Sequence, residues 1–277
     1  MWRHWPSGVC KYMDKSLQII WPQASERKAF LDAAVARYNR ADFIADDPIS
    51  VPHRFSGLQD REIIGFWVAM LAWGNRKSII QSANKLCALM DDAPYDFIQN
   101  HQESDRARFL SFKHRTFQSL DTLYFLEFFQ QYYRKQASLE HAFARHLHAD
   151  DPTVENALVG FHRDFFDHPY APERTRKHVA TPERGSTCKR LNMFLRWMVR
   201  KDPKGVDFGA WQRIRPSQLL IPLDVHVERV ARQLGLLERT QVDWRTVLEL
   251  SAQLRQLDPE DPVKYDFALF GLGVVGV

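Results

Sequence analysis

Residues 59–73 read QDREIIGFWVAMLAW, and they limit the choice of fold more than any other stretch of the chain. After an acidic start the segment is apolar on nearly every side. A helix without a polar stripe cannot lie on a surface and must be enclosed by other elements. Asp60 and Glu62 fall where the positive end of a helix favours acid. Gly74-Asn75 breaks the run.

The remaining apolar positions recur at helical rather than alternating spacing. Helices are expected over 24–39, 76–90, 116–134, 139–148, 154–166, 243–257 and 262–269, with a short helical turn at 206–214. Residues 46–55, with Pro48 and Pro52, read as an extended connector. Residues 168–184 form a loop rich in proline and charge, and residues 1–23 read as a mixed N-terminal extension. Glycine is scarce, 12 in 277 residues, against a usual share of about 7%. No period-two strand pattern, internal repeat or heptad is present. The expected fold class is all-α.

The formal charge of +4 permits a nucleic-acid partner without demanding one. Cys10, Cys87 and Cys188 form no CxxC pair, so no structural zinc, cluster or disulfide framework is expected. His141 and His148 share a helix face, but no acidic pair completes a ligand set. Neither a metal nor a cofactor is therefore expected. No run reaches the length of about 18 apolar residues that a span requires, and no signal peptide is evident. A cytoplasmic monomer without membrane contact is the expectation.

Two segments carry candidate chemistry. Residues 185–201 read GSTCKRLNMFLRWMVRK. At about 100° per residue, Leu191, Phe194, Leu195 and Met198 share an apolar side. Lys189, Arg196 and Arg200 share the other, which reads as an outward row of cations. Lys189 falls in the first turn beside Arg190, where the helix dipole disfavours a cation; an amine nucleophile needs that. The plainer reading is an amphipathic helix with solvated cations. The second segment is Ile221–Leu237, IPLDVHVERVARQLGLL. Val227, Val230, Ala231 and Leu234 mark a core face, Gly235 stops the helix, and Asp224 stands at its start. There an aspartate caps free N–H groups for about 1 kcal/mol.

The pattern Leu223-Asp224-Val225-His226-Val227-x-Arg229-Val230, with Leu234-Gly235-Leu236, resembles the V-D-T-H-V-x-R-V…L-G-L segment of the helix-hairpin-helix DNA glycosylases, the endonuclease III superfamily. Asp224 matches that family's catalytic aspartate. Lys189, four positions after Gly185, matches the lysine of its L-P-G-V-G-R-K-T-A hairpin. The helix from Glu62 and the run Tyr265–Gly271 are similar to two more family pieces, in the same order. The hairpin departs from the pattern, reading P-E-R-G-S-T-C-K without the second glycine. Lys189 and Asp224 are 35 residues apart, more than in endonuclease III, and the four-cysteine loop is absent. These departures are similar to those of the archaeal 8-oxoguanine glycosylases. The run KRLNMFLRWMVR and His53-Arg54-Phe55 also resemble an uncharacterised bacterial family.

The resemblance implies two helical lobes flanking a cleft. Residues 57–202 would carry Lys189, and residues 24–56 with 203–277 would carry Asp224. It implies excision of a damaged base, 8-oxoguanine favoured, from double-stranded DNA through a lysine Schiff base, with a lyase step. Gly185, Ser186, Thr187, Arg190, Arg196 and Arg200 would contact DNA, helped by Lys177 and Arg184. His226, from the matching motif, would contact DNA as well. Asn75 and Arg76, at a helix break, would fill the gap left by the extruded base. Two other readings stand beside this one: a helix-hairpin-helix DNA binder without chemistry, and a helical protein-interaction module.

Overall fold

A computed structural model describes residues 24–275, and every regular element in that range is helical. The proposed extension at 1–23 lies outside the described residues. Eleven α-helices are joined by short 3-10 turns: α1 (Ala24–Tyr38), α2 (Leu58–Leu71), α3 (Arg76–Leu89), α4 (Pro94–Asn100), α5 (Ser119–Tyr133), α6 (Glu140–Ala144), α7 (Glu155–Phe165), α8 (Lys189–Val199), α9 (Val225–Gln233), α10 (Trp244–Leu257) and α11 (Tyr265–Val275). Among the described residues no strand forms and no helix is long and apolar enough to cross a membrane.

Helix α2 is enclosed, as its sequence demands: every residue from Glu62 to Leu71 is buried. It packs against α3, α4 and α8. Phe66 meets the rings of Phe125 and Phe129 from α5, Phe161 and Phe165 from α7, and Phe194 from α8, at centroid distances of 5.4–5.9 Å. Burying one such ring contributes roughly 1.5–3 kcal/mol, so the aromatic crowd in α5 is core. Glu62 is the polar exception inside it. Its carboxyl accepts from Ser138 Oγ (2.5 Å), Tyr133 Oη (2.9 Å), the Leu139 N–H (3.0 Å) and Trp211 Nε1 (2.7 Å). Burial pushes that carboxyl up, while the four donors pull it down.

Helix α11 packs on α1 and α9. The contacts are close because two positions lack side chains. A Cβ at Gly271 would lie 2.3 Å from the Tyr38 ring, and one at Gly273 would lie 2.7 Å from His226 Cβ.

Two expectations need correction. The connector at 46–55 is not extended: Ala41–Asp46, Pro48–Ser50 and Pro52–Arg54 are 3-10 turns in succession. Each proline opens its turn, where a missing N–H does no harm. Residues 206–214 form no helix; Lys201 and Phe208 make an isolated antiparallel bridge instead. The Phe208 and Trp211 N–H groups donate back to the carbonyls of Trp197 and Met198 in α8, so this strip is held by α8 rather than by its own turns.

The loop at 168–184 is anchored from beneath. Asp121 in α5 accepts from Arg174 and from Thr175 Oγ1 (2.7 Å), and lies 3.4 Å from His178 Nε2. Burial opposes ionisation of Asp121, but His178, the Gln118 N–H and Thr175 hold it down at about 2.

Two predictions follow from these buried carboxyls. Glu62→Ala would strand several buried donors, each costing about 1–3 kcal/mol, and should lower the urea midpoint far more than an exposed substitution. For Asp121 the folded pKa is depressed, so its stabilisation is whole above the unfolded value near 4 and is lost as pH falls through about 2. An Asp121→Asn protein should be less stable at pH 7 and show a shallower loss of stability between those values, measured by urea titration at each pH.

Candidate active site

The chain reaches the candidate site through a hairpin whose backbone is set locally. Thr181 Oγ1 accepts from the Glu183 N–H and Pro182 opens a turn over Pro182–Arg184. Gly185 ends that turn in the left-handed region at φ 70°, which glycine enters without strain. Cys188 adopts the same region at φ 47°, at a strain of about 1–2 kcal/mol for an L-residue, with its thiol buried and pushed up to about 12. Helix α8 starts immediately after it, so Lys189 is its first residue. Cys188 supplies no side-chain cap. The Gly185 N–H goes to the Pro182 carbonyl (2.8 Å) and the Cys188 N–H to Ser186 Oγ (3.2 Å). Among the described residues the Ser186 and Thr187 N–H groups have no acceptor.

Asp224 caps α9. Its Oδ1 accepts from the His226 N–H (2.9 Å) and the Val227 N–H (3.0 Å). Its Oδ2 lies 3.7 Å from Lys189 Nζ, with the lysine and aspartate side chains 31% and 15% exposed. The aspartate is thus both the helix cap and the partner of the lysine. The pair borders a cavity of about 770 Å³ whose wall also includes Asp47, Asp266, Phe43 and Phe270.

The other cations of α8 behave differently from the outward row expected of them. Lys189, Arg196 and Arg200 do share one face, but that face turns inward. Arg196 is 5% and Arg200 3% exposed, so neither is placed to contact DNA. Arg196 donates to Asp207 (3.2 Å) and to Asp266. Arg200 donates to both oxygens of Asp261 (3.1 and 2.9 Å) and to Asp207 (3.0 Å), and lies 3.7 Å from Asp202. Phe267 of α11 lies under both guanidinium groups, 4.5 and 5.4 Å from its centroid. Two cations thus serve four carboxylates. Burial pushes the Asp207 and Asp261 carboxyls up, with the arginines opposing. It brings Asp266 to about 6, opposed by Arg196 and assisted by the charge of Asp224. Periodicity could place these arginines on one face, but not foresee acids as far along the chain as Asp261 and Asp266.

The remaining expected contacts divide. Ser186 and Thr187 line the cavity, and Gly185 is exposed with open space above its Cα. Arg190 also lines it, but its guanidinium donates to the carbonyls of Met70 (2.6 Å) and Lys177 (3.1 Å), locking the hairpin to the end of α2. Burial without an acid partner lowers it to about 10. Asn75 caps α3 by accepting from the Ser78 N–H (3.3 Å). Arg76 lines the cavity with its guanidinium 4.8 Å from the centroid of Phe270. His226 lines it too, its Nδ1 3.2 Å from the Gly273 carbonyl.

A family model described as a protein of unknown function, DUF2400, matches residues 47–275. The chain belongs to the DUF2400 family. No curated protein and no solved structure matches it. The match starts at Asp47, one of the wall residues that sequence reading passed over. Two signals for such residues were present in this DUF2400 chain. Asp47 precedes Pro48, a helix-start pairing. Asp266 is a lone acid in the apolar run YDFALFGLGVV, and a carboxylate buried there requires a partner.

Breaking the inward network should be costly. Arg196→Met leaves Asp207 and Asp266 without their shared cation and should destabilise the DUF2400 chain by about 3–5 kcal/mol, measured by denaturant unfolding. A surface arginine at that position would instead change stability by under about 1 kcal/mol.

Proposed function

We propose that this protein is a DNA base-excision glycosylase of the helix-hairpin-helix kind, with Lys189 as nucleophile and Asp224 as its electrostatic partner. The observation that carries this reading is the 3.7 Å approach of an amine and a carboxylate at the edge of a cavity of about 770 Å³. The two groups come from different helices, and both match the family motif by position. An enzyme that acts on a base must take it out of the stack into such a pocket. The free Ser186 and Thr187 N–H groups and the uncapped start of α8 suit a phosphate beside the extruded nucleotide.

In this reaction the neutral Lys189 Nζ attacks C1′. Its lone pair forms the N–C1′ bond as the glycosidic bond breaks, and the base leaves with that electron pair and takes up a proton. Asp224 Oδ2 faces the positive charge that develops at C1′ and is placed to accept a proton from Nζ. The C1′–O4′ bond then opens, O4′ gains a proton, and the nitrogen lone pair completes the imine. Loss of a C2′ proton expels the 3′ phosphate and breaks the strand. Because Oδ1 is held by two backbone N–H groups, the carboxylate cannot rotate away without uncapping α9.

Borohydride reduction tests the reading directly. With duplexes carrying uracil, 8-oxoguanine, an alkylated base or an abasic site, at least one should give a covalent protein–DNA adduct. Lys189→Ala should abolish the adduct while salt-sensitive binding persists. Asp224→Asn keeps a capping side chain and should fold, while single-turnover excision falls on the order of 100- to 1,000-fold. Absence of any adduct across the panel would sink the proposal, and binding without an adduct would leave a DNA-binding protein without chemistry.

A further inference from the structure

Strand cleavage needs a group that takes a proton from C2′, the carbon beside the one that Lys189 attacks. Once the imine has formed, the lysine nitrogen is bonded to C1′ and Asp224 faces its positive charge. Another acceptor must therefore reach the neighbouring carbon.

His226 borders the same cavity. Its backbone N–H donates to Asp224 Oδ1 (2.9 Å), so its ring springs from the turn of α9 that carries the carboxylate. The ring is held from behind. Nδ1 lies 3.2 Å from the Gly273 carbonyl. A carbonyl only accepts, so Nδ1 carries the ring proton and the lone pair of the neutral imidazole falls on Nε2. Arg229 donates to that carbonyl as well (2.6 Å), and the Phe270 ring meets the imidazole edge-on, with centroids 5.8 Å apart. Among the described residues Nε2 has no hydrogen-bond partner, yet the residue is only half-buried and Nε2 is not sealed from solvent.

The other groups on this wall that could take a proton are committed. Asp266 is buried and held by Arg196. Asp47 is tied to the Ile49 N–H (3.1 Å) and feels the charge of Arg196. His178 Nε2 is sealed, 3.4 Å from Asp121. Burial keeps the Cys188 thiol protonated, pushed up to about 12.

We propose that His226 is a further catalytic residue, the base that takes the C2′ proton in the lyase step. The inference rests on the glycosylase reading above and assigns that reading's second step to a group of its own. The C2′–H bond breaks, its proton passes to Nε2, and its electron pair becomes the C2′=C3′ bond, with the imine nitrogen holding the pair in transit. The C3′–O bond breaks, and the 3′ phosphate leaves with that bond's pair. The imidazolium then gives its proton to water.

The test starts from a duplex with a preformed abasic site, so base excision drops out. Borohydride trapping counts the imine, and strand cleavage without borohydride counts the elimination. The ratio of cleavage to trapping cancels any loss of DNA affinity. The His226→Gln side chain can still donate to the Gly273 carbonyl but has no basic nitrogen. In that variant the ratio should fall roughly 100-fold, the scale of acid–base catalysis, with thermal unfolding confirming a folded protein. His226→Ala should show a similar fall, and added imidazole should restore its cleavage in proportion to concentration, above a protein-free control. Should the glutamine variant misfold, the alanine variant with imidazole carries the test. An unchanged ratio in a folded variant overturns the His226 assignment and leaves the glycosylase reading intact. So does a fallen ratio that imidazole fails to restore, which marks a role in placing the DNA, and so does a wild type that traps abasic DNA without cleaving it. Failure of the wild type to trap any substrate overturns both.

Discussion

The salt-bridge network beneath α8 sets the geometry of the rest. Arg196 and Arg200 reach from one helix to Asp207 on the following strip, to Asp261 before α11 and to Asp266 within it. Their desolvation is offset by these acids, by Asp202 beside Arg200 and by the Phe267 face. Such a cluster tolerates little change in distance, because each ion removed from water needs its partner close. The first residue of the same helical face is Lys189. That face carries the lysine towards Asp224, 3.7 Å away. Burial, opposed by the arginines, explains why Asp207, Asp261 and Asp266 all hold protons more tightly than free aspartate.

Asp224 shows that a structural and a chemical role need not compete. One oxygen satisfies two orphan N–H groups of α9, and the other looks across to the amine. The cap fixes the rotamer, and the fixed rotamer aims the second oxygen. Asp47, on the same cavity, is likewise tied through one oxygen to a backbone N–H, that of Ile49. Asp224 is held by an α-helix and Asp47 by a single 3-10 turn.

What could be read from the chain follows a physical division. The burial of α2 was legible because a segment apolar on all sides has no alternative. The helical class was legible from spacing and from the shortage of glycine. The Lys189–Asp224 pair was legible only through a motif; composition and periodicity leave each residue with an ordinary explanation. The shared face of Lys189, Arg196 and Arg200 was read correctly, but its surroundings were not, since pairing partners such as Asp261 and Asp266 arrive through tertiary contact. The strip at 206–214 misled for the same reason: its hydrogen bonds go to α8, and nothing local records that. Asp47 was hidden by its neighbours, because a proline-bearing run reads as a link between elements rather than as part of a wall.

Helix α11 carries a last consequence. Gly271 and Gly273 let it lie directly against Tyr38 of α1 and the backbone of His226 in α9. The strip of missing side chains works as a gauge block. Any methyl group added at Gly273 would wedge α9 outward, and the carboxylate at the head of α9 would travel with it. The reach between amine and acid is therefore calibrated by a residue that has no chemistry of its own, some fifty positions further along the chain. Drift at that glycine would detune the pair while leaving both of its members in place.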